Sequence, residues 1–250
     1  MNNSITDSVY PIPRIVGGYE VSPQFKYPAM VSLQCNGVHA CGGSLWDEST
    51  VISAAHCVTW PDCSWTVSIH RHNLLKSASE EGGRTYSVVK RIPHPEYDAS
   101  NTLNDVSIWK LNNTSRARTN LELDDGSIGS ATDTLLTASG WGRTGYNSPS
   151  SKNKLLEVKL PLFDINTCIK NYDDDGNYKV FANEMLCAGY PEGKKDTCSG
   201  DSGGPLFIIK DGKQILTGIV SWGKQCALPK LPGVYTRVST YRKWILDNIN

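Results

Sequence analysis

Eight cysteines are the feature of this 250-residue chain that most limits how it can fold. They stand at positions 35, 41, 57, 63, 168, 187, 198 and 226, with none between 63 and 168. The absence of a Cys-x-x-Cys pair argues against zinc fingers and thioredoxin-type redox motifs. An even number of dispersed cysteines indicates disulfides and an oxidising compartment, so we expect a secreted, extracellular protein. Eight cysteines allow about 105 connectivities, and their spacing alone leaves the pairing open.

The composition excludes several classes of partner. The chain has 25 basic and 25 acidic side chains and a formal net charge of zero, so we expect no nucleic-acid partner. No apolar run approaches the roughly 18 residues that a membrane span requires, so we expect no membrane partner. The first 14 residues lack the basic start and apolar core of a signal peptide. We therefore expect either that a signal was removed and Met1 was added for expression, which we favour, or that export follows another route.

The local pattern predicts a mostly antiparallel β protein that ends in a helix. Turn signals separate the β-favouring runs, and Asp211-Gly212 between two apolar runs predicts a hairpin. Helical periodicity is clear only at Tyr241–Ile249, where Tyr241, Ile245, Leu246 and Ile249 share one face. Barrel and sandwich remain equally open on this pattern. The predicted strands are Ala29–Gln34, Thr50–Ser53, Trp65–His70, Tyr86–Ile92, Val106–Leu111, Leu155–Leu160, Pro205–Ile209, Gln214–Val220 and Gly233–Val238.

Three short segments carry residues suited to acyl transfer. His56 lies in SAAHC, Asp105 in NDVSI and Ser202 in GDSGGP. Each alone has an ordinary interpretation, namely a structural histidine, a turn aspartate or a turn serine. Together they supply a hydroxyl nucleophile, an imidazole base and a carboxylate that fixes the imidazole tautomer.

These segments, with others in the same order, resemble the chymotrypsin/trypsin family of serine proteases. The resemblance runs from Ile15 to the C-terminus and extends to IVGG, CGGSL, SGWG, IVSWG and PGVYTRV. It implies an all-β fold of two packed six-stranded antiparallel β-barrels with a C-terminal α-helix. The implied boundaries are an activation peptide over 1–14 and a peptidase domain over 15–250. Within that domain, barrel one would cover about 15–118, barrel two about 119–238 and the helix about 239–249.

The resemblance also implies a role for each residue of the catalytic centre. Ser202 would be the nucleophile, His56 its general base and then general acid, and Asp105 the group that orients His56. The backbone N–H groups of Gly200 and Ser202 would form the oxyanion hole. A side chain at Gly200 would crowd the developing oxyanion.

The resemblance extends to substrate binding. Asp196 matches the floor of the primary specificity pocket, and its alternative interpretation is a surface carboxylate beside Lys194 and Lys195. A buried carboxylate needs a cation, so we expect a substrate Arg or Lys. Ser199 and Gln225 depart from the usual trypsin residues near the rim, which leaves the balance between Arg and Lys open. The remaining pocket residues implied by the resemblance are Thr197, Ser221, Trp222, Gly223 and Gly233.

The N-terminal segment resembles a zymogen cleavage site. Cleavage after Arg14 would free the Ile15 amine to pair with Asp201 and order the pocket. Ser32 and His39 match positions that hold this aspartate in the uncut form of some members, although a plain core histidine is the alternative for His39. Because Arg14 itself suits the expected specificity, self-activation is a hypothesis.

The resemblance also implies a disulfide pairing and bears on whether the chain binds a metal. It implies the pairs Cys41–Cys57, Cys168–Cys187 and Cys198–Cys226, which leaves Cys35 and Cys63 as a fourth pair outside the usual trypsin pattern. In the loop where trypsins often bind calcium, Arg71 occupies the first ligand position and could pair with Glu80 or Glu81. We therefore expect no calcium, no other metal and no cofactor. We expect His70 and His72 to be exposed and incidental.

The sequence thus predicts a monomeric, secreted endopeptidase that cleaves after Arg or Lys. Its partners would be protein or peptide substrates and possible protein protease inhibitors. One alternative is an inactive homologue that acts as a binding or inhibitory protein, although no triad residue is missing. Another is a processing enzyme whose access is narrowed by the Trp60–Cys63 segment and by residues 169–186. Asn112 and Asn113 lie in overlapping glycosylation sequons, which matter only in a eukaryotic secretory pathway.

Overall fold

The strands fall into two groups along the chain, and each group closes on itself. The computed structural model describes residues 15–59, 63–113, 117, 119–143, 145, 153–176 and 178–249. The first strands are β1 (Tyr19–Glu20), β2 (Met30–Cys35), β3 (Val38–Leu45), β4 (Thr50–Ser53), β5 (Trp65–Ile69), β6 (Arg84–Pro93), β7 (Ser107–Leu111) and β8 (Leu121–Leu123). The later elements are β9 (Leu135–Gly140), β10 (Leu156–Phe163), α1 (Ile165–Asp175), β11 (Met185–Ala188), β12 (Pro205–Lys210), β13 (Lys213–Trp222), β14 (Gly233–Arg237) and α2 (Val238–Asn248).

The first barrel contains β2 to β7 in the order β2-β3-β4-β7-β6-β5, and β5 pairs back on β2 to close it. Its strands are 4 to 10 residues long, and their buried apolar side chains form one core. Trp65 and Trp109 meet edge to face in this core, with ring centroids 4.9 Å apart. Burying one large apolar side chain typically contributes about 1.5–3 kcal/mol. The closed sheet therefore gives a rigid base for the loops at its end.

The second barrel contains β9 to β14. Its strands pair in the order β10-β11-β14-β13-β12-β9, and β9 pairs with β10 to complete the ring. Strand β1 adds antiparallel to β10, and β8 adds parallel to β13. The prediction of two six-stranded antiparallel barrels is confirmed, and β8 is a parallel addition outside the closed rings.

The sequence pattern predicts one of the two helices and misses the other. The predicted C-terminal helix is present as α2, and its residues Tyr241 and Ile245, with Ile249 directly after it, pack into the same core as barrel one. Helix α1 was not predicted, because only Cys168 and Tyr172 of its residues are buried and the apolar stripe is thin. Asp164 caps its start by accepting from the Thr167 N–H (2.8 Å). The helix ends at Asp175, and Gly176 caps it with φ 79°.

Most strand predictions lie within a few residues of the observed strands, but β1, β3, β8, β9 and β11 were not predicted. Strand β3 contains Gly42 and Gly43, which weaken the β pattern. A Cβ on Gly42 would lie 2.9 Å from Gly204 Cα, and one on Gly43 2.7 Å from a Val51 methyl carbon. The glycines are therefore required by close packing. The Asp211-Gly212 hairpin is confirmed: both residues have positive φ and join β12 to β13.

The barrels meet at the loop that carries Ser202. A Cβ on Gly203 would lie 2.1 Å from Ser53 Oγ and 2.8 Å from the Gly42 carbonyl oxygen, so only glycine fits between the barrels there. Within the described part of the chain, no helix has both the length and the apolar character needed to cross a membrane.

Candidate active site

The hydroxyl, imidazole and carboxylate predicted to act together come from both barrels. Ser202 lies in the loop before β12, where its carbonyl accepts from the Gly42 N–H of barrel one (2.8 Å). His56 begins a short 3-10 turn after β4, and Asp105 precedes β7. Ser202 Oγ makes no hydrogen bond to His56 among the described contacts, and such bonds are commonly long until substrate is bound.

Asp105 orients His56 through both carboxylate oxygens. Oδ2 lies 2.8 Å from His56 Nδ1, and Oδ1 accepts from the His56 backbone N–H (2.8 Å). Because a carboxylate only accepts, Nδ1 carries the proton and Nε2 of the neutral ring is free to act as a base. Burial alone would lower the pKa of His56, but the attraction and hydrogen bond of Asp105 outweigh it and raise that pKa. The arrangement therefore favours an imidazolium once a proton arrives.

Barrel two holds the carboxylate that barrel one supplies. Ser221 Oγ donates to Asp105 Oδ2 (2.6 Å), and Thr236 Oγ1 donates to the Asp105 carbonyl (2.8 Å). Asp105 is 1% exposed. Ser221, predicted as a substrate-binding residue, therefore also fixes Asp105.

The backbone around Gly200 leaves two N–H groups available. Gly200 has φ +98°, and a Cβ there would lie 3.0 Å from Gly142 Cα. The preceding carbonyl, that of Ser199, accepts from the Arg143 N–H (2.8 Å). Within the described residues, no protein acceptor takes the N–H of Gly200 or Ser202. Both groups could therefore donate to an oxyanion.

A cavity of about 200 Å³ opens beside Ser202 and is built from barrel two alone. Asp196 is 3% exposed at this cavity, and its Oδ2 accepts from the Ala227 N–H (2.9 Å). Its Oδ1 has no hydrogen-bond partner, and no cation forms an ion pair with it among the described residues. Burial raises the pKa of this carboxyl from 3.8 to about 7. The lining residues are Asp196, Thr197, Cys198, Ser199, Ser202, Val220, Ser221, Trp222, Gly223, Gln225, Cys226 and Gly233.

The glycines keep this cavity open. A Cβ on Gly233 would lie 2.7 Å from Asp196 Oδ1, so a side chain there would cover the carboxylate. A Cβ on Gly223 would meet no protein atom closer than 3.7 Å and would occupy cavity space. Thr197 Oγ1 bonds the Tyr235 hydroxyl (3.0 Å), which turns its polar atom toward the protein. The predicted pocket residues thus line one cavity, while Arg14 lies outside the described residues.

Ile15 and Asp201 are both buried near this loop. Ile15 is 0% exposed in the core of barrel two, and Val16 pairs with Asp196 through the Asp196 N–H (3.1 Å). Asp201 accepts from the N–H groups of Gly142 (2.8 Å) and Cys198 (2.9 Å). Burial raises the pKa of Asp201 from 3.8 to about 6.

His39 does not hold Asp201 in this structure. Its Nδ1 lies 2.8 Å from Ser32 Oγ, and its Nε2 lies 2.9 Å from the carbonyl oxygen of Gly200. A carbonyl can only accept, so Nε2 carries the proton and Nδ1 accepts from the Ser32 hydroxyl. The Ser32–His39 pair therefore supports the backbone of the predicted oxyanion hole.

All eight cysteines are bonded. The pairs are Cys35–Cys63, Cys41–Cys57, Cys168–Cys187 and Cys198–Cys226. His56, Cys41 and Cys57 bring potential metal-ligating atoms within 4.8 Å of one another, but the two sulfurs are joined to each other and offer no thiolate.

Arg71 lies in the loop that resembles the calcium-binding loop of trypsins. Its Nε donates to Glu81 Oε2 (2.8 Å) and its Nη2 to the Asn73 carbonyl (3.1 Å). Glu80 instead accepts from Ser77, so only Glu81 forms the predicted ion pair. The expectation that His72 is exposed is wrong: it is 1% exposed and bonds Glu20 through Nε2 (3.0 Å), because the loop folds against β1. His72 directly follows the buried Arg71, and nothing in the local sequence indicates that it is buried as well.

The comparisons with known proteins agree with this geometry. Residues 15–245 match the family model described as Trypsin. The chain is 38% identical to Trypsin-2 of Salmo salar over 237 residues, covering 94% of this chain and 95% of that protein. It is 38% identical to a vitellin-degrading protease of Bombyx mori, covering 94% and 86%. It is also 36% identical to a proclotting enzyme of Tachypleus tridentatus, covering 94% of this chain but 66% of the longer relative.

Proposed function

We propose that this chain, which belongs to the trypsin family of serine proteases and is a trypsin-like serine endopeptidase, cleaves peptide bonds of its protein substrates after Arg or Lys. The observation that carries this specificity is Asp196, a carboxylate at the substrate cavity with one oxygen unpartnered and no ion pair among the described residues. A buried charge without a partner is costly, and a guanidinium or ammonium from the substrate would remove that cost. Gly223 and Gly233 leave room for a long side chain to reach it.

In the proposed mechanism, His56 Nε2 takes the proton of Ser202 Oγ as that oxygen attacks the carbonyl carbon of the scissile bond. Asp105 stabilises the imidazolium that forms, and the N–H groups of Gly200 and Ser202 receive the oxyanion. His56 then gives its proton to the leaving amine, and an acyl-enzyme remains on Ser202. Water, deprotonated by His56, hydrolyses this ester and restores the free enzyme. Losing one oxyanion donor typically costs about 2.7–4 kcal/mol of transition-state stabilisation.

The test is a comparison of peptide reporters that end in Arg, Lys, Phe or Ala. After treatment with a catalytic amount of trypsin, the protein should hydrolyse the Arg and Lys reporters alone. Ser202→Ala should abolish this activity, whereas Ser87→Ala, at an exposed serine of β6 outside the site, should retain it. Hydrolysis of the Phe reporter at a similar rate would reject the basic specificity. A lack of turnover on every reporter would favour the inactive binding or inhibitory homologue.

The same proposal includes synthesis as a secreted zymogen that is cut after Arg14. The four disulfides support an oxidising, extracellular location. The buried position of Ile15 and the burial of Asp201 support an ion pair between the new Ile15 amine and that carboxylate. An α-amino group ordinarily titrates near about 8, so it would carry a charge at neutral pH. The Ile15 amine exists only after cleavage, so the uncut chain would be nearly inactive.

Self-activation can be separated from activation by another protease. Purified uncut protein and its Ser202→Ala variant are incubated side by side, and the new N-terminus at Ile15 is measured by mass spectrometry. Self-activation requires that only the protein with Ser202 is processed. Equal processing of both would identify a contaminating protease and reject self-activation. The monomeric state and binding of protein protease inhibitors belong to the same proposal, and light scattering with and without inhibitor would test both.

A further inference from the structure

A second cavity, of about 570 Å³, opens in barrel two. It lies between the start of α1, the residues before β9 and β11, and the junction of β14 with α2. It shares no lining residue with the cavity beside Ser202, so the proposed peptidase function does not account for it. The lining residues are Gly129, Ser130, Thr132, Leu162, Phe163, Asp164, Ile165, Ala182, Asn183, Leu186, Cys187, Arg237 and Thr240.

Arg237, the last residue of β14, brings a positive charge to this cavity. Its Nη1 donates to the Gly129 carbonyl (2.7 Å), and its Nε and Nη2 donate to the Met185 carbonyl (3.2 and 3.0 Å). A guanidinium has five N–H groups, so these bonds leave two of them available. Arg237 forms no ion pair with a carboxylate among the described residues. Neutral acceptors therefore hold the guanidinium in place without removing its charge.

The acidic groups around Arg237 compensate this charge only in part. Burial lowers the pKa of Arg237, and the attraction of Asp124 and Glu184 does not fully offset that effect. Both oxygens of Asp124 accept backbone N–H groups of the residues that follow it. Asp164 lines the cavity, and its Oδ1 accepts from the N–H and the hydroxyl of Thr167 (2.8 and 2.6 Å). An attraction for anions therefore remains at Arg237, and the charge of Asp164 opposes it.

Further hydrogen-bond donors line the cavity from other segments of barrel two. Ser130 and Thr132 precede β9, and Asn183 precedes β11. All three side chains are exposed, and within the described part of the chain none of them makes a hydrogen bond. Donors on separate segments suit a ligand group whose oxygens point in several directions. A tetrahedral phosphate or sulfate has such oxygens, whereas the two oxygens of a carboxylate lie in one plane.

The cavity is larger than one such group and is partly apolar. Its volume falls within the range of roughly 300–1,000 Å³ that is typical of small-molecule sites. Phe163 and Ile165 are half-buried in its lining, so part of their apolar surface stays accessible. An inorganic ion would leave that surface in water, whereas an organic group would cover it.

We propose that this cavity binds the phosphate or sulfate group of a small organic molecule, with Arg237 as the main polar contact and the organic part against Phe163 and Ile165. The guanidinium would donate its two remaining N–H groups to two oxygens of the ligand. Binding involves no residue of the predicted catalytic centre, so the inference holds or fails independently of the proposed peptidase function.

The test measures binding to the intact chain by isothermal titration calorimetry. The probes are phenyl phosphate, phenyl sulfate and inorganic phosphate, at an ionic strength kept constant with sodium chloride. We expect one site per chain, with phenyl phosphate or phenyl sulfate bound at least about tenfold more tightly than inorganic phosphate, because the ring covers apolar surface. Binding of either aryl probe supports the site, and the tighter of the two identifies the group. Equal affinity for the aryl and inorganic probes would overturn the assigned ligand class.

Variants assign the binding to this cavity. Thr132→Glu places a carboxylate in the lining without touching the hydrogen bonds of Arg237, so the affinity should fall at least about tenfold. Asp164→Asn removes the opposing charge but can still cap α1, so the affinity should rise about twofold or more. Ser87→Glu adds the same charge at an exposed position of β6 in barrel one and should leave the affinity unchanged. Arg237→Gln should abolish binding.

Arg237 also supports two carbonyl groups, so the variant that lacks it could fail to fold. Thr132→Glu and Asp164→Asn then decide the question, because both change only the charge at the cavity. No binding of either aryl probe, or an affinity unaltered by Thr132→Glu, would overturn the inference. Equal losses in Thr132→Glu and Ser87→Glu would indicate a response to net charge alone and would also overturn it.

Discussion

Two buried carboxylates, Glu81 in barrel one and Asp196 in barrel two, differ in whether the chain supplies a cation beside them. The Glu81 side chain is 4% exposed and Arg71 lies against it, with 3% of its own side chain exposed. Asp196 is 3% exposed and has no ion pair among the described residues. The chain neutralises the first carboxylate itself and leaves the second for an incoming cation. A buried charge pair within the fold therefore indicates structure, and a buried single charge at a cavity indicates binding.

The largest expected effect is on catalysis, and it concerns Asp196 alone. Asp196→Asn removes the attraction for a basic side chain, so kcat/KM on Arg reporters should fall about 30- to 5000-fold, equivalent to about 2–5 kcal/mol. The free energy of unfolding should stay the same or rise, because a costly buried charge is removed. Steady-state kinetics and urea unfolding measure the two quantities. The control is Asp174→Asn, an exposed carboxylate on α1.

The second expected effect is on stability alone. Arg71→Met leaves the Glu81 carboxylate buried without its partner, which should lower the free energy of unfolding by about 3–5 kcal/mol. For a chain of this size, each kcal/mol corresponds to about 2–4 °C in Tm. Glu80→Gln next to the pair should change Tm little, because Glu80 is exposed. An Arg71→Met variant as stable as the unchanged protein would show that the Arg71–Glu81 pair does not stabilise the fold, and this would contradict the contrast with Asp196.

The third expected effect is an opposite dependence on pH. Burial raises the pKa of Asp196 from 3.8 to about 7, so its contribution is present below pH 3.8 and is lost as pH rises through about 7. That contribution is at most about 4 kcal/mol. For Glu81, burial alone would raise the pKa, but the hydrogen bonds from Arg71 and the backbone lower it from 4.5. Its contribution is therefore present above pH 4.5 and is lost as pH falls through the lowered value.

Unfolding curves between pH 3 and 8 for the unchanged protein, Asp196→Asn and Glu81→Gln measure this difference. Subtracting the Asp196→Asn curve also removes the contribution of Asp201, which titrates in the same direction. A small guanidinium ligand should bind Asp196 more tightly as pH rises toward 8, because the carboxylate must be ionised. Binding that weakens over this range would contradict the assigned pKa.

The smallest expected effect is none. A guanidinium fills the centre of the loop from 71 to 81, so a calcium chelator should change neither activity nor Tm. Differential scanning calorimetry with and without chelator is sufficient. A fall of several degrees would show that a cation other than Arg71 stabilises barrel one.

The sequence predicted the fold class and family because long motifs recur in one order, and it predicted that Arg71 pairs with a nearby glutamate. It missed β3 because glycines required by close packing weaken the strand pattern, and it missed α1 because only Cys168 and Tyr172 are buried. It misplaced His72 because burial there arises from β1, which lies far away in the sequence. The Ser32–His39 contact with Gly200 also depends on tertiary packing. Local sequence thus identified candidate chemistry, while packing between distant segments determined what supports it.

Each barrel holds a catalytic residue of the other barrel in place, and this has a consequence for the order of events during folding. Asp105 belongs to the first half of the chain but is held by Ser221 and Thr236 from the second, while Ser202 of the second half is held by Gly42 of the first. A nascent or half-formed molecule with one finished barrel would therefore lack an organised centre for hydrolysis. The catalytic residues would be brought together only after both halves have docked, so an incomplete chain would pose no proteolytic danger to its neighbours.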